Sequence, residues 1–280
     1  MNLTYDSIAE IYQRLAVPLV FLSPAKDLLA ALKLSPDANI LDVGAGAGAA
    51  AQAIKSIKGF KGKLVELDIS LEMLQTSEAT ATISKVAGRV PGLPFCDNSF
   101  DAVISNFVLS HVLKYREAIT DMVRVLRPSG KIGIASWDND KNNYSELWNE
   151  TAESVIGKVR LSKVVSEFMP SRDIFTNPEN TSELLKEAGV KDIEIHKSES
   201  TVKTTISDFI EMKSVMLQGR YIKSKLGAER FKEFRRRIVE NFNEQFNDPV
   251  EYPRFAYIVV GAKSKEVYSK RKKQGYNSQE

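Results

Sequence analysis

The chain has one cysteine, two histidines and, over 280 residues, a formal net charge of only +3. A lone Cys96 excludes an internal disulfide and any metal site built from several cysteines; in its loop it is expected to do no chemistry. No apolar run approaches the roughly 18 residues that span a bilayer. The N-terminus has neither the charged start nor the long apolar stretch of a signal peptide, because Leu15–Leu22 is interrupted by Pro18. The small charge gives no broad phosphate-binding footprint, and much of the excess lies in Lys263–Lys273, read as the start of a disordered basic tail. With 43% hydrophobic residues, what remains is expected to be one elaborated, soluble, cytoplasmic domain.

What is present is concentrated in Ile40-Leu41-Asp42-Val43-Gly44-Ala45-Gly46-Ala47-Gly48. An apolar run that breaks into three glycines and continues as Ala49-Ala50-Ala51-Gln52 reads as strand, tight turn and helix. Its backbone N–H groups are then expected to face a ligand that glycine allows close to the main chain. Gly44-x-Gly46-x-x-Ala49 also satisfies the dinucleotide fingerprint, so the glycines alone leave two cofactors open. Asp42 discriminates: at a strand's end it repels a pyrophosphate but can hold an ammonium group, which S-adenosylmethionine carries and NAD does not. The plainer alternative is an Asp that only caps the glycine turn. Lys63–Ser70 reads as a second strand ending in Asp68, placed to accept both ribose hydroxyl hydrogens, although Asp68 or Ser70 also fits as N-cap of the helix beginning at Leu71.

Strands expected near 39–43, 63–68, 83–88, 101–106, 131–136, 191–197 and 255–262 alternate with helical stretches, the pattern of a parallel sheet covered on both faces. The strings ILDVGAGAG, LVELDISLEML, LPFCDNSFDAVISNFVLSHV, RVLRPSGKIGIASW and ELLKEAGVKDIEI occur in the order of the class I S-adenosylmethionine-dependent methyltransferases, and the chain resembles their type 11 branch, which includes quinone-biosynthesis enzymes. The resemblance covers roughly residues 35 to 200. It implies a Rossmann-like α/β sandwich with a seven-stranded, mostly parallel sheet whose last strand is antiparallel. It also implies S-adenosyl-L-methionine as cofactor, S-adenosyl-L-homocysteine as product, no metal and transfer to a small-molecule acceptor.

The division expected from it is an N-terminal helical cap (1–34), a cofactor-binding core (35–137), a helical insertion (138–178), a return to the core (179–204), a helical lid (205–250), the last strand (251–263) and the tail (264–280). The cofactor-binding set is Asp42, Gly44, Ala45, Gly46, Gly48, Asp68, Ile69, Met73, Arg89, Val90 and Asn106, with Asn106 near the methionine part. Relatives place an acid at the adenine amino group where Arg89 stands. A guanidinium has donors only, so Arg89 is left to stack on the ring while the Val90 N–H donates to a ring nitrogen.

Three residues are candidates for the transfer step. His111 follows the fourth strand and can take a proton from a hydroxyl or amine, or else merely pack its loop. Tyr5 and Tyr12 belong to a string that resembles the family's entry helix over the cofactor, where ordinary helix packing explains the same spacing. His196, inside the sixth strand, is expected to be structural. Phe231, Phe234, Ile238, Phe242 and Phe246 recur at three and four residues and demand a partner, while Arg235-Arg236-Arg237 reads as a solvated face or an anion contact. An RNA or protein acceptor, or a catalytically silent cofactor-binding relative, stands as the alternative; Ser105-Asn106-Phe107-Val108 lacks the Asn/Asp-Pro-Pro-Tyr string of amino-methylating nucleic-acid enzymes.

Overall fold

A computed structural model describes residues 8–78, 80–138 and 142–265. Tyr5 and the tail beyond residue 265 lie outside them. Seven strands, β1 (Asn39–Val43), β2 (Lys63–Asp68), β3 (Ile83–Ala87), β4 (Phe100–Asn106), β5 (Leu126–Trp137), β6 (Val190–Thr204) and β7 (Val250–Lys263), form one sheet in the order β3-β2-β1-β4-β5-β7-β6. β1 to β5 run parallel, and β7 is antiparallel to both of its neighbours. The α/β class, the seven strands and the reversed last strand are as expected. The chain direction across the sheet reverses between β1 and β4, and ligands of such folds bind above that point, at the strands' C-terminal ends.

Both faces are covered. Ile40, Leu64, Ala102 and Ile104 pack under the N-terminal helix α1 (Ala9–Leu32) and α2 (Ala49–Lys55), whereas Leu41, Val43, Leu67 and Val103 pack with α4 (Tyr115–Val125) and α8 (Pro178–Glu187) on the other face. Period-two alternation thus sends successive residues of each strand into two separate cores. The loop before β4 is fastened by Arg124, which donates to the Phe95 and Leu93 carbonyls and to the carboxylates of Asp97 and Asp121. The family strings around these residues therefore hold scaffold.

Three expectations need correction. Pro18 does not interrupt its segment: α1 is continuous, and Tyr12–Phe21 takes the wide π-helical form, in which the Leu22 N–H reaches the Val17 carbonyl. A proline ring collides with the carbonyl four residues back, and a wider turn moves that carbonyl away. Among the described residues α1 is also the one helix long and apolar enough to cross a bilayer, but 56% of its most apolar window is buried inside the protein. Finally, Lys263 is not tail. Its ammonium is buried at the end of β7 and donates to Asn98 Oδ1 and to the Arg124 and Leu126 carbonyls.

The two long insertions build a roof over the sheet's C-terminal edge. Helices α5 (Asn143–Ile156), α6 (Lys158–Phe168) and α7 (Arg172–Phe175) come from the first, α9 (Ile206–Val215) and α10 (Leu217–Gln245, kinked at Gly227) from the second. The phenylalanine stripe finds its partners within this roof: Phe234 meets Trp148 edge-on at 5.8 Å, Phe242 meets Phe209 at 5.4 Å, and Phe246, just past the helix end, meets Tyr144 at 4.4 Å. Arg236 pairs with Glu233 and Glu240 on its own helix, so the arginine run is a solvated face at that position.

Candidate cofactor and acceptor site

A cavity of about 1310 Å³ opens above the point where the sheet reverses. Its floor is the core: Asp42 at the end of β1, the glycine turn, Asp68 and Ile69 after β2, Gly88 to Pro91 after β3, and Asn106 to Val108 after β4. Trp137 closes β5, and the roof contributes Trp148, Phe168, Lys213, Met216 and others. A small-molecule site commonly occupies 300–1,000 Å³, so this volume suits two ligands side by side.

The glycine turn is organised differently from expectation. All three glycines have positive φ, at 77°, 55° and 86°. A Cβ on Gly44 would come within 2.3 Å of Val108, and one on Gly48 within 2.3 Å of the Ser77 hydroxyl, while one on Gly46 would meet nothing within 4 Å. Only Gly46 therefore leaves room for a ligand. Gly44 and Gly48 are small because the protein itself fills the space, and Gly48 is not among the residues lining the cavity. Nor do the first three N–H groups of the turn wait for a ligand. Those of Gly44 and Ala45 donate to the Leu67 carbonyl at 2.7 and 3.0 Å, and that of Gly46 to Asp68 Oδ2 at 2.8 Å.

Beneath the turn lie three carboxylates. Asp42 is 1% exposed, its Oδ1 has no hydrogen-bond partner, and it pairs in register with Glu66 across β1 and β2. Burial, then the charges of Glu66 and Asp68, push its carboxyl well above the usual range. Glu66 is fully buried and accepts from the Ser77 hydroxyl at 2.7 Å; burial raises it too, opposed by Ser77 and by Lys85. Asp68 is raised by burial against the pull of backbone N–H groups from Ser70, Gly46 and Ile69. The helix α3 (Leu71–Thr76) is capped by Ser70, whose hydroxyl accepts from the Met73 N–H at 3.1 Å. Asp68 braces both turns, and its carboxylate retains acceptor capacity toward the cavity. Glu66 escaped the sequence reading, although the alternation Leu64, Glu66, Asp68 places it on the same face as Asp68.

Ile69, 75% exposed, and the exposed Arg89 flank the part of the wall nearest β2 and β3, with Val90 beside them and Met73 buried behind. Asn106 reaches inward from β4. Its amide donates to the Phe21 carbonyl at 3.3 Å, which ties α1 to the sheet, and its Oδ1 has no hydrogen-bond partner. Tyr12 lines the same cavity and stacks on Phe21 at 5.4 Å.

His111 ends the short helical turn Leu109–His111 and faces the cavity while surrounded by protein. Its Nδ1 lies 2.9 Å from the Phe168 carbonyl; a carbonyl only accepts, so Nδ1 carries the hydrogen and a neutral ring keeps its lone pair on Nε2. Burial lowers its pKa, as does Arg220, against the opposing pull of that hydrogen bond. His196 lies away from the cavity, 3.2 Å from Glu194. Cys96 is an exposed free thiol outside the site. Trp137, Lys213 and Arg254 were missed by sequence reading. Trp137 carried a signal, since it ends a parallel strand at the same edge as Asp42 and Asn106. Lys213 carried none, because a lysine four residues after Phe209 on α9 reads as ordinary helix surface. Among the described residues no group of three or more His, Cys, Asp or Glu side chains is placed to hold a metal.

A seven-stranded sheet with this reversal is the Rossmann-like fold of the class I methyltransferases. Comparison with known proteins agrees with it. Residues 41–134, about a third of the chain, match the family model described as "Methyltransferase domain". It is 37% identical over 105 residues to the demethylmenaquinone methyltransferase of Renibacterium salmoninarum, a match covering 37% of this chain and 43% of that one. With that of Mycolicibacterium vanbaalenii it shares 35% over 121 residues, 43% of this chain and 51% of the other. The chain spans about half the length of the curated relatives it matches.

Among solved structures, the YcgJ protein of Bacillus subtilis superposes with a TM-score of 0.53 at 16% identity, covering 86% of this chain and 98% of that one. Phosphoethanolamine N-methyltransferase 2 of Haemonchus contortus, solved with S-adenosyl-L-methionine, gives 0.55 at 17% identity, covering 94% and 60%. These likenesses concern the fold.

Proposed function

We propose that this protein transfers a methyl group from S-adenosylmethionine to a small-molecule acceptor held under its helical roof. The observation that carries the reading is Asp42, a cavity-lining carboxylate with a buried, unpartnered oxygen, its pKa raised by burial and then by two neighbouring acids. Such a wall favours a cationic, phosphate-free ligand. A pyrophosphate in its place would meet the carboxylates of Asp42 and Asp68 and a glycine turn whose N–H groups at 44, 45 and 46 already have acceptors.

When bound, the cofactor supplies a methyl group already activated by its sulfonium. The protein's task is alignment and exclusion of water. Asp42 holds the ammonium, Asp68 the ribose hydroxyls, and Ile69, Arg89 and Val90 the adenine, with Gly46 leaving the main chain accessible. Asn106 and Tyr12 shape the passage to the acceptor half. His111 Nε2 takes the proton that a hydroxyl or amine acceptor loses as its electron pair bonds the methyl carbon and the S–CH₃ pair stays on sulfur. The demethylmenaquinone methyltransferases among its relatives support a small acceptor, as does a roof that encloses the site.

Calorimetry with S-adenosylmethionine, S-adenosylhomocysteine and NAD tests the cofactor assignment, repeated on Asp68→Ala. The sulfur nucleosides should bind and the variant should lose affinity; failure of both to bind at millimolar concentration ends the reading, and equal binding by the variant ends only the role of Asp68. Tritiated methyl transfer into lipid extract, RNA and protein fractions tests the acceptor, where label in RNA or protein alone overturns the small-molecule assignment.

A further inference from the structure

The acids under the glycine turn belong to a polar row that crosses three strands. Asp42 on β1, Glu66 on β2 and Lys85 on β3 stand in register, so their side chains share one face of the sheet. Glu66 is fully buried and Asp42 nearly so. Ser77 donates to Glu66 Oε1 at 2.7 Å, but Glu66 Oε2 and Asp42 Oδ1 are buried without a hydrogen-bond partner. Lys85 donates to the Ser77 carbonyl at 2.5 Å, and its charge draws on Glu66 from there. Asp68, next along the same face, accepts from the Gly46 and Ser70 N–H groups.

Two orphaned carboxylate oxygens on adjacent buried strands are costly as a pair of anions, because each is desolvated and the charges repel. One proton held between them removes one charge and gives the other a hydrogen bond; it then belongs to the pair. Burial raises both acids, and the charge of Glu66 raises Asp42 further. The two residues differ in access: Asp42 lines the cavity and Glu66 does not. A cation arriving from the cavity therefore favours the arrangement with the charge on Asp42 and the proton on Glu66.

We propose that Asp42 and Glu66 share one proton, and that Glu66 is a positioning residue that keeps it when the cofactor's ammonium meets Asp42. Glu66 then donates to Asp42, which stays ionised and oriented, and no proton is lost to solvent. The sharing rests on the in-register pair alone; the role toward the ammonium rests on the methyltransferase reading.

Infrared spectra of the full chain at neutral pH test the sharing, as the difference between wild type and the double variant Asp42→Asn, Glu66→Gln, with melting curves to confirm folding. The difference should contain the carbonyl stretch of a protonated carboxylic acid, shifted in deuterium oxide; its absence overturns the proposal. Saturation with S-adenosylhomocysteine should leave that band in wild type, whereas Glu66→Gln in the same complex should lack it. Loss of the wild-type band on binding would send the proton to solvent, and its retention by Glu66→Gln would assign it to another group; either result ends the role of Glu66. A glutamine amide donates as the protonated acid does, so Glu66→Gln should bind S-adenosylhomocysteine within about threefold of wild type. A larger loss in a folded variant contradicts donation from Glu66. If wild type binds no S-adenosylhomocysteine, the cofactor reading fails, and the spectra of the free proteins still decide whether the pair holds the proton.

Discussion

Asp42 carries opposite consequences for binding and for stability. Its folded pKa lies above the unfolded value, so the folded state holds the extra proton, and stability falls as pH rises from about 4 through that raised pKa. Asp42→Asn removes this penalty, and unfolding of the free protein at pH 8 should shift upward by roughly 2–4 °C, the mark of about 1 kcal/mol in a chain of this size. S-adenosylhomocysteine affinity should fall at least about tenfold in the same variant, through loss of the charge proposed to hold the ammonium. A variant that melts lower and binds as tightly as wild type sinks the assignment. For His111 the sign is reversed: its pKa is depressed, so Nε2 stays unprotonated as pH falls through 6.5 and the acceptor-saturated rate should decline only below that. His111→Gln should abolish this acid limb, and persistence of the limb would assign it to another group. Both positions were legible in the sequence because Asp42 lies at the ligand-edge end of β1 and His111 follows that of β4. Lys213 was not, because an ammonium four residues after a phenylalanine looks like any helix surface until the second insertion folds against the first.

The glycine turn shows that one motif can serve two purposes within five residues. Gly48→Ala forces a methyl group into Ser77 at a φ of 86°, and should cost roughly 2–3 kcal/mol of stability through the strained backbone and through displacement of the Ser77–Glu66 hydrogen bond. Gly46→Ala meets no atom and should cost only about 1 kcal/mol for its φ of 55°, yet its methyl group projects into open space at the cavity and should lower cofactor affinity at least about tenfold. Denaturant melts and calorimetry on the pair check the division; equal losses of stability, or a Gly46→Ala protein with normal affinity, would show that the spacing argument fails. Spacing revealed the motif but not the division of labour, since Val108 and Ser77 reach the turn from distant segments. The same limit applies to strand ends. β1 and β2 appeared at their true bounds because their apolar runs are sharply punctuated, whereas β6 continues to Thr204 through Lys197-Ser198-Glu199-Ser200-Thr201, a polar edge with no alternation to read. Only its pairing with β7, from Val190 against Lys263 to Thr204 against Val250, makes it a strand.

At the scale of the whole molecule, α1 joins the two halves of the cavity. Phe21 accepts from Asn106 at the floor, packs edge-on against Phe107, and belongs to the same helix as Arg14, whose guanidinium lies 3.0 Å from Glu211 in the roof. Both contacts fall within the π-helical stretch Tyr12–Phe21, where the hydrogen-bond ladder is wide and Pro18 supplies no donor. Local opening is easiest where backbone bonding is weakest, so this stretch is the natural hinge between floor and roof. Occupation of the floor by S-adenosylhomocysteine should therefore slow amide exchange in two places, at the turn 44–48 and along 13–21, with a weaker effect in α9 through Arg14. Asn106→Ala removes the direct tie. Hydrogen-exchange mass spectrometry on that variant, at ligand concentrations that restore saturation, should show the turn still protected and 13–21 exchanging as in the free protein. Undiminished protection of 13–21 would show that Asn106 is not the link, and would place the coupling in the packing of the floor on α1, which includes the Phe21, Phe107 and Trp137 ring contacts.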